Sequence, residues 1–151
     1  MNSGSNLPNN NYILRHVKKS QLRRDGDNNV IGILGQALEM RGDEDTLSVC
    51  WLEYFNGNYN NQVFLTAIVK NTARNIKKND AFAIANTDKI RELSTNKGYN
   101  NLRIVFAPEK DYMPNHSELR KYPKEDSLFF ELLAEEAFTD LVINSDLILP
   151  I

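Results

Sequence analysis

Apolar residues occur along the chain in short runs separated by polar turns, and the spacing inside each run indicates a secondary structure. Segments rich in β-branched and aromatic residues predict strands at 12–17, 47–55 and 102–106, with clear alternation at 47–55, and a short apolar run predicts another strand at 81–85. Apolar residues three and four positions apart predict helices at 60–76, 88–97 and 126–142. The run from 30 to 40 fits either a buried helix or a bent strand.

Strands separated by helices predict one α+β (mixed α/β) domain at residues 12–151, with a mixed sheet of about five strands. The C-terminal helix should be amphipathic, because its apolar stripe lies opposite its acidic residues. We expect it to dock on the core through Leu128, Phe129, Leu132, Leu133, Phe138 and Leu141. Residues 1–11 are rich in Asn, Ser and Gly and are expected to form a flexible tail. The stretch 107–123 contains three prolines and is predicted to be a long loop.

Composition narrows the class of protein. The 151 residues are 41% hydrophobic and 25% charged, which is typical of globular domains. Cys50 is the only cysteine, so it can form no disulfide within the chain, and no cofactor or metal is expected. The first residues lack the features of an export signal and no apolar run has the length of a membrane span, so a cytoplasmic location without membrane contact is expected.

Charge is distributed unevenly, although the net charge is only −2. Basic residues without acids cluster at 15–24 and 70–78, whereas acids without bases cluster at 125–146. The two basic stretches could together form a phosphate-contacting surface, but the net charge opposes nucleic-acid binding, so a nucleic-acid partner is not expected. The opposite charge of the two ends favours a protein partner.

No nucleotide-binding, phosphate-loop or hydrolase motif occurs, so candidate site residues have to be judged individually. His116 lies in the predicted loop at 107–123, where it could act as a general base oriented by Asp111 or Glu118. Arg120 in the same stretch is a candidate binding residue. The alternative is that His116 is simply an exposed loop residue beside a helical turn.

Two predicted strands supply the other candidates. Arg15 and His16 are adjacent on the first strand, so they should point to opposite faces and only one should face a cleft. Arg15 suits an anion such as a phosphate or a carboxylate, or a surface ion pair. The strand at 47–55 contributes Ser48, Trp51 and Glu53. A buried Glu53 would need a basic partner such as Arg15, and a solvent-facing Glu53 is the alternative.

Three sequence blocks carry a resemblance to other proteins. These are Arg-His-Val at 15–17, Leu-Ser-Val-Cys-Trp-Leu-Glu-Tyr-Phe at 47–55 and Pro-Asn-His at 114–116. With these blocks the chain resembles a group of short bacterial proteins that has no established activity to transfer. The resemblance implies a bacterial source and a single domain.

Two functions of different classes follow. The first is a small bacterial interaction or regulatory domain that binds a protein partner as a component of a multi-gene system, with its oligomeric state open. The second is a small enzyme that acts on a phosphate-bearing or nucleotide substrate through Arg15, His116 and a carboxylate, for which Glu53 is the candidate. An enzyme needs its groups in one cleft, so His116 should then lie near Arg15, His16, Ser48 or Glu53.

Overall fold

The computed structural model describes residues 1–147. Its strands are β1 (Tyr12–Val17), β2 (Leu22–Arg24), β3 (Val30–Ile33), β4 (Leu47–Trp51), β5 (Ala81–Asn86), β6 (Arg103–Phe106), β7 (His116–Arg120) and β8 (Asp140–Ile143). Its α-helices are α1 (Tyr59–Ala73), α2 (Thr87–Asn96) and α3 (Ser127–Glu136). Short 3-10 turns lie at Lys19–Gln21, Gly35–Leu38, Leu52–Tyr54 and Asn144–Asp146. The ambiguous run at 30–40 is thus a strand followed by a 3-10 turn.

Six strands form the main sheet, in the order β6-β7-β4-β1-β5-β8, while β2 and β3 form a separate hairpin. The predicted α+β class is confirmed, but the pairings between these strands are all antiparallel, so the predicted mixed sheet is wrong. Each α-helix joins two strands that run in the same direction, yet oppositely directed strands lie between them. For example, α1 connects β4 to β5, and β1 separates those two strands.

The helices cover both faces of the main sheet. On one face α1 closes a cluster of Leu14, Leu52, Val63, Ala67, Phe82 and Ile84. On the other face α2 and α3 close a larger cluster that includes Ile13, Val17, Ile90, Phe129 and Leu133. All three strand–helix–strand crossovers have the same handedness. α1 and α2 cross the sheet in opposite directions, so they lie on opposite faces. α3 crosses in the direction of α1 but starts from a strand that runs the other way, so it lies on the same face as α2.

Each α-helix begins at a polar side chain that caps it. The side chains of Asn58, Asn86 and Asp126 accept hydrogen bonds from backbone N–H groups in the first turns of α1, α2 and α3, respectively. The helices therefore start close to the positions that the sequence predicts.

The predicted C-terminal helix is too long. α3 ends at Glu136, and Asp140–Ile143 form the edge strand β8. Leu128, expected in the core, is 73% exposed. The apolar spacing of Phe138 and Leu141 continues a helical pattern, but β-branched residues at 142 and 143 pair with β5 instead.

The predicted loop at 107–123 is also wrong in part, because it contains the strand β7. Pro114 precedes this strand and Pro123 follows it, so no proline interrupts the five residues that pair with β4 and β6.

Residues 1–11 were expected to form a flexible tail, yet part of this segment lies along the edge strand β6. The N–H groups of Gly4 and Leu7 donate to the carbonyls of Phe106 and Ile104 at 2.7 and 2.9 Å. The side chain of Leu7 is only 2% exposed. A single buried leucine and backbone pairing therefore attach a segment that is polar in overall composition.

Candidate functional site

A cleft of about 330 Å³ opens where α1 ends above β1, β4 and β7. We call it the basic cleft. Its lining residues from the strands and α1 are Arg15, His16, Leu47, Ser48, Lys70 and His116. Its other lining residues are Lys18, Arg41, Glu44, Arg74, Asn75, Glu109 and Met113.

The cleft exists because β1 and β4 part from one another. Their pairing consists of Ile13 with Trp51 and Leu14 with Cys50. Beyond Leu14, β1 stays paired with β5, and β4 stays paired with β7. Because the sheet is split from Arg15 onward, Arg15 and His16 both line the cleft. The prediction that only one of them could do so is therefore wrong, since it assumed a continuous sheet.

Arg15 fills the split between the strands. Its Nε donates to the carbonyl of Ala37 and its Nη1 donates to the carbonyl of Ser48, each at 2.7 Å. Burial lowers the pKa of Arg15 to about 10, which still leaves it protonated at neutral pH. None of the ion pairs among residues 1–147 involves Arg15. The cleft thus contains a guanidinium that is held by two carbonyl groups and has no carboxylate within ion-pair distance among the described residues.

Lys70 and Arg74 lie one helical turn apart near the end of α1. The helical spacing predicts that both side chains face solvent. Lys70 is instead half-buried, and burial lowers its pKa. Lys70 has no carboxylate within ion-pair distance in the described part of the chain. Arg74 is more exposed and lies 3.7 Å from a carboxylate oxygen of Glu109.

His16 is held by a buried carboxylate behind the cleft. Its Nε2 lies 2.8 Å from Oδ2 of Asp80. The same carboxylate accepts hydrogen bonds from the backbone N–H groups of Lys19, at Oδ1, and of Lys77, at Oδ2, each at 3.1 Å. Burial lowers the pKa of His16 in spite of the contact with Asp80. In the neutral ring Nε2 carries the proton that Asp80 accepts, so Nδ1 has a free electron pair.

His116 has the opposite environment. Its Nδ1 lies 2.7 Å from the carbonyl of Ala107, and its Nε2 lies 3.1 Å from Oε1 of Glu109. Both neighbours are acceptors, so with Nδ1 bonded to the carbonyl the contact with Glu109 is an ion pair only when the ring carries two protons. The hydroxyl of Tyr112 donates to the other oxygen of Glu109 at 2.9 Å. Glu109 therefore contacts three side chains, those of His116, Arg74 and Tyr112.

The structure brings four of the sequence-derived candidates together, namely Arg15, His16, Ser48 and His116. Glu53 is elsewhere: it accepts the backbone N–H of Tyr12 at 2.9 Å, and burial raises its pKa. It is not the carboxylate partner of Arg15, because Arg15 is anchored by carbonyl groups.

The remaining candidates lie outside the cleft lining. Trp51 donates through Nε1 to the side chain of Asn11 at 2.8 Å. Arg120 donates to Glu118 at 2.8 Å, and Asp111 is exposed. Neither acidic residue proposed to orient His116 does so, since that contact comes from Glu109.

Sequence reasoning missed Lys70, Arg74 and Glu109 as site residues. The two basic stretches at 15–24 and 70–78 were the available signal, and each contributes cations to the cleft. Nothing in the sequence pattern reveals that Glu109 reaches back to His116.

Within residues 1–147, no cluster of three or more His, Cys, Asp or Glu side chains is placed to hold a metal ion. No helix in that range is both long and apolar enough to cross a membrane. Comparison of the chain with protein-family models, with curated proteins and with solved structures finds no match.

Proposed function

We propose that the protein binds a small ligand carrying a phosphate group in the basic cleft. The observation that carries this proposal is the charge of the cleft. Five basic side chains and two histidines line it, against only two carboxylates, in a chain whose net charge is −2. Such a local excess of positive charge attracts and holds anions.

Arg15 and Lys70 give the cleft its most specific features. Charged groups removed from water are normally paired, because an uncompensated charge is costly to bury. Arg15 is already fixed by two carbonyl groups, so little side-chain entropy is lost when an anion binds to it. Lys70 adds a half-buried ammonium group from the last turn of α1. A phosphate between them would receive charge-assisted hydrogen bonds from both sides.

The size of the cleft favours a small ligand. Its volume of about 330 Å³ is near the lower limit of small-molecule sites. A diphosphate or a mononucleotide fits this space better than a polymer does. The acidic overall charge also works against binding to long nucleic acids.

Calorimetric titration with pyrophosphate and with AMP tests the proposal. Lys70→Ala should weaken binding roughly 10- to 100-fold, because a charge-assisted hydrogen bond contributes about 1.5–3 kcal/mol. Lys124→Ala is the matched control, since Lys124 is exposed and lies outside the cleft lining. Equal affinity of both variants, or no binding by the wild type, would contradict the proposal.

The second candidate function is binding of a protein partner. The chain would then be a regulatory component of a multi-gene system. The position of Glu109 favours it, because a protein carboxylate already lies against His116 in the cleft. An acidic segment of a partner could bind in the same way. Titration with a glutamate-rich peptide distinguishes the two: tighter binding of the peptide than of pyrophosphate would favour the protein partner.

A further inference from the structure

The chain contains only two histidines, and both line the basic cleft. We infer that His16 and His116 act as general base and general acid in the hydrolysis of a small phosphodiester of mononucleotide size. This inference rests on the proposed function, because the cations of the cleft must first hold the phosphate group.

The sheet places the two rings on either side of a gap. Leu14, Cys50 and His116 lie in one row across β1, β4 and β7, with their side chains on the same face. His16 is two residues beyond Leu14, so it belongs to that face as well. At the row of Leu14, Cys50 and His116, two interstrand spacings, on the order of 10 Å in total, separate the backbones of β1 and β7, and beyond this row β1 is no longer paired with β4. Ser48 of β4 lines the same cleft as the two rings.

The hydrogen bonds of the two rings fit them for different roles. In neutral His16 the Nε2–H group donates a hydrogen bond to Asp80, and Nδ1 is unprotonated, as a base requires. Nδ1 of His116 is fixed by the carbonyl of Ala107 and Nε2 faces the carboxylate of Glu109, so Nε2 is the position from which this ring would deliver a proton. Pairs of titratable groups in contrasting environments are typical of acid–base sites.

The reaction balances without a further reagent. Nδ1 of His16 takes a proton from water, and the water oxygen forms a bond to phosphorus. The bond between phosphorus and the leaving oxygen breaks, and that oxygen takes the proton from Nε2 of His116. The products are a phosphomonoester and a free hydroxyl, which remain one molecule when the substrate is a cyclic phosphodiester. Arg15 and Lys70 stabilise the negative charge that develops on the phosphate oxygens.

Glu109 has a specific place in this scheme. In the structure its carboxylate lies against Nε2 of His116, where the leaving oxygen of the substrate would be. Glu109 belongs to the segment between β6 and β7, and its exposed neighbour Tyr112 holds it there. The substrate therefore has to displace Glu109 from His116 before the proton can be transferred.

Leaving-group dependence provides the test. 2′,3′-Cyclic AMP has an alkoxide leaving group that needs a proton, whereas methyl p-nitrophenyl phosphate releases a phenolate that does not. His116→Gln should slow hydrolysis of the cyclic nucleotide about 100-fold or more, and should change hydrolysis of the aryl ester by only a few-fold. His16→Gln should slow both substrates by about 100-fold or more. Lys124→Ala serves as the unchanged control.

Binding of pyrophosphate to the same variants separates this inference from the proposed function, and thermal melting shows whether each variant is folded. Wild-type protein that binds pyrophosphate but hydrolyses neither substrate would overturn the catalytic inference and leave the binding proposal standing. An equal loss on both substrates in folded His116→Gln would assign His116 a purely structural role and would also overturn it. Absence of both binding and hydrolysis would overturn both proposals.

Discussion

At the scale of single residues, Asp80 connects the turn before β5 to the end of β1 and the residues that follow it. Its carboxylate accepts hydrogen bonds from the ring of His16 and from the backbone N–H groups of Lys19 and Lys77. Asp80→Ala would leave these three donors without their partner. We expect the free energy of unfolding to fall by about 2–4 kcal/mol, because an unsatisfied buried donor costs about 1–3 kcal/mol. Urea unfolding at pH 7 measures this loss, and Asp27→Ala, an exposed control, should change stability by less than about 0.5 kcal/mol.

The protonation of His16 links stability to pH. Burial lowers its pKa below the ordinary value of 6.5. As the pH falls below 6.5, the unfolded chain takes up this proton before the folded protein does, so the folded state loses stability. In His16→Gln the melting temperature should therefore fall less between pH 7.5 and pH 5.5 than in the wild type. Parallel curves for the two proteins would show that His16 has no such effect.

At the scale of elements, α3 offers a direct comparison between a buried and an exposed leucine. Leu133 is fully buried and Leu128 is 73% exposed. Leu133→Ala should lower the free energy of unfolding by about 2–5 kcal/mol, because it removes core contacts and leaves a cavity. Leu128→Ala on the same helix should have almost no effect. Chemical denaturation of both variants checks the register of α3, and equal losses would contradict it.

The 3-10 turn at Gly35–Leu38 meets α3 at a very close contact. The N–H of Gly35 donates to Oε1 of Glu131 at 2.6 Å, and a Cβ atom on Gly35 would lie 2.8 Å from the backbone nitrogen of Glu131. Gly35→Ala would push the turn and the helix apart, and we expect a loss of about 1–3 kcal/mol. Gly26→Ala is the control, because an added Cβ there meets no atom within 4 Å. A melting temperature of Gly35→Ala equal to that of Gly26→Ala would exclude this close packing.

Sequence periodicity predicted the elements that carry a complete local signal. The strand at 12–17 and the helix after Asn86 are examples, since apolar and aromatic content in the first and a capping residue in the second are visible within the segments themselves. The C-terminal end of α3 and the strand β7 were missed because pairing with distant strands decides them. The basic cleft was predictable only as two charged stretches. Its shape depends on the split between β1 and β4, which no local pattern encodes.

At the scale of the whole molecule, the two edges of the main sheet differ. The N-terminal segment covers β6, where Leu7 is buried and Gly4 and Ser5 bond to the backbone of Phe106. Deletion of residues 1–8 should expose this edge, because unpaired strands readily join other chains. We expect a lower melting temperature and concentration-dependent association in sedimentation experiments. Deletion of residues 1–3 should leave both properties nearly unchanged, and similar behaviour of both deletions would contradict this role.

The central position of β1 determines when the main sheet and the basic cleft can form during synthesis. β1 precedes every other strand in the sequence, yet both of its neighbours in the sheet, β4 and β5, are translated later. Translation of the intervening residues takes on the order of seconds, during which its apolar side chains are without their partners and available to chaperones. The last wall of the basic cleft comes from β7. A ribosome-bound chain that has not yet released β7 therefore contains Arg15 and His16 but lacks His116, so the basic cleft is incomplete until β7 has been made.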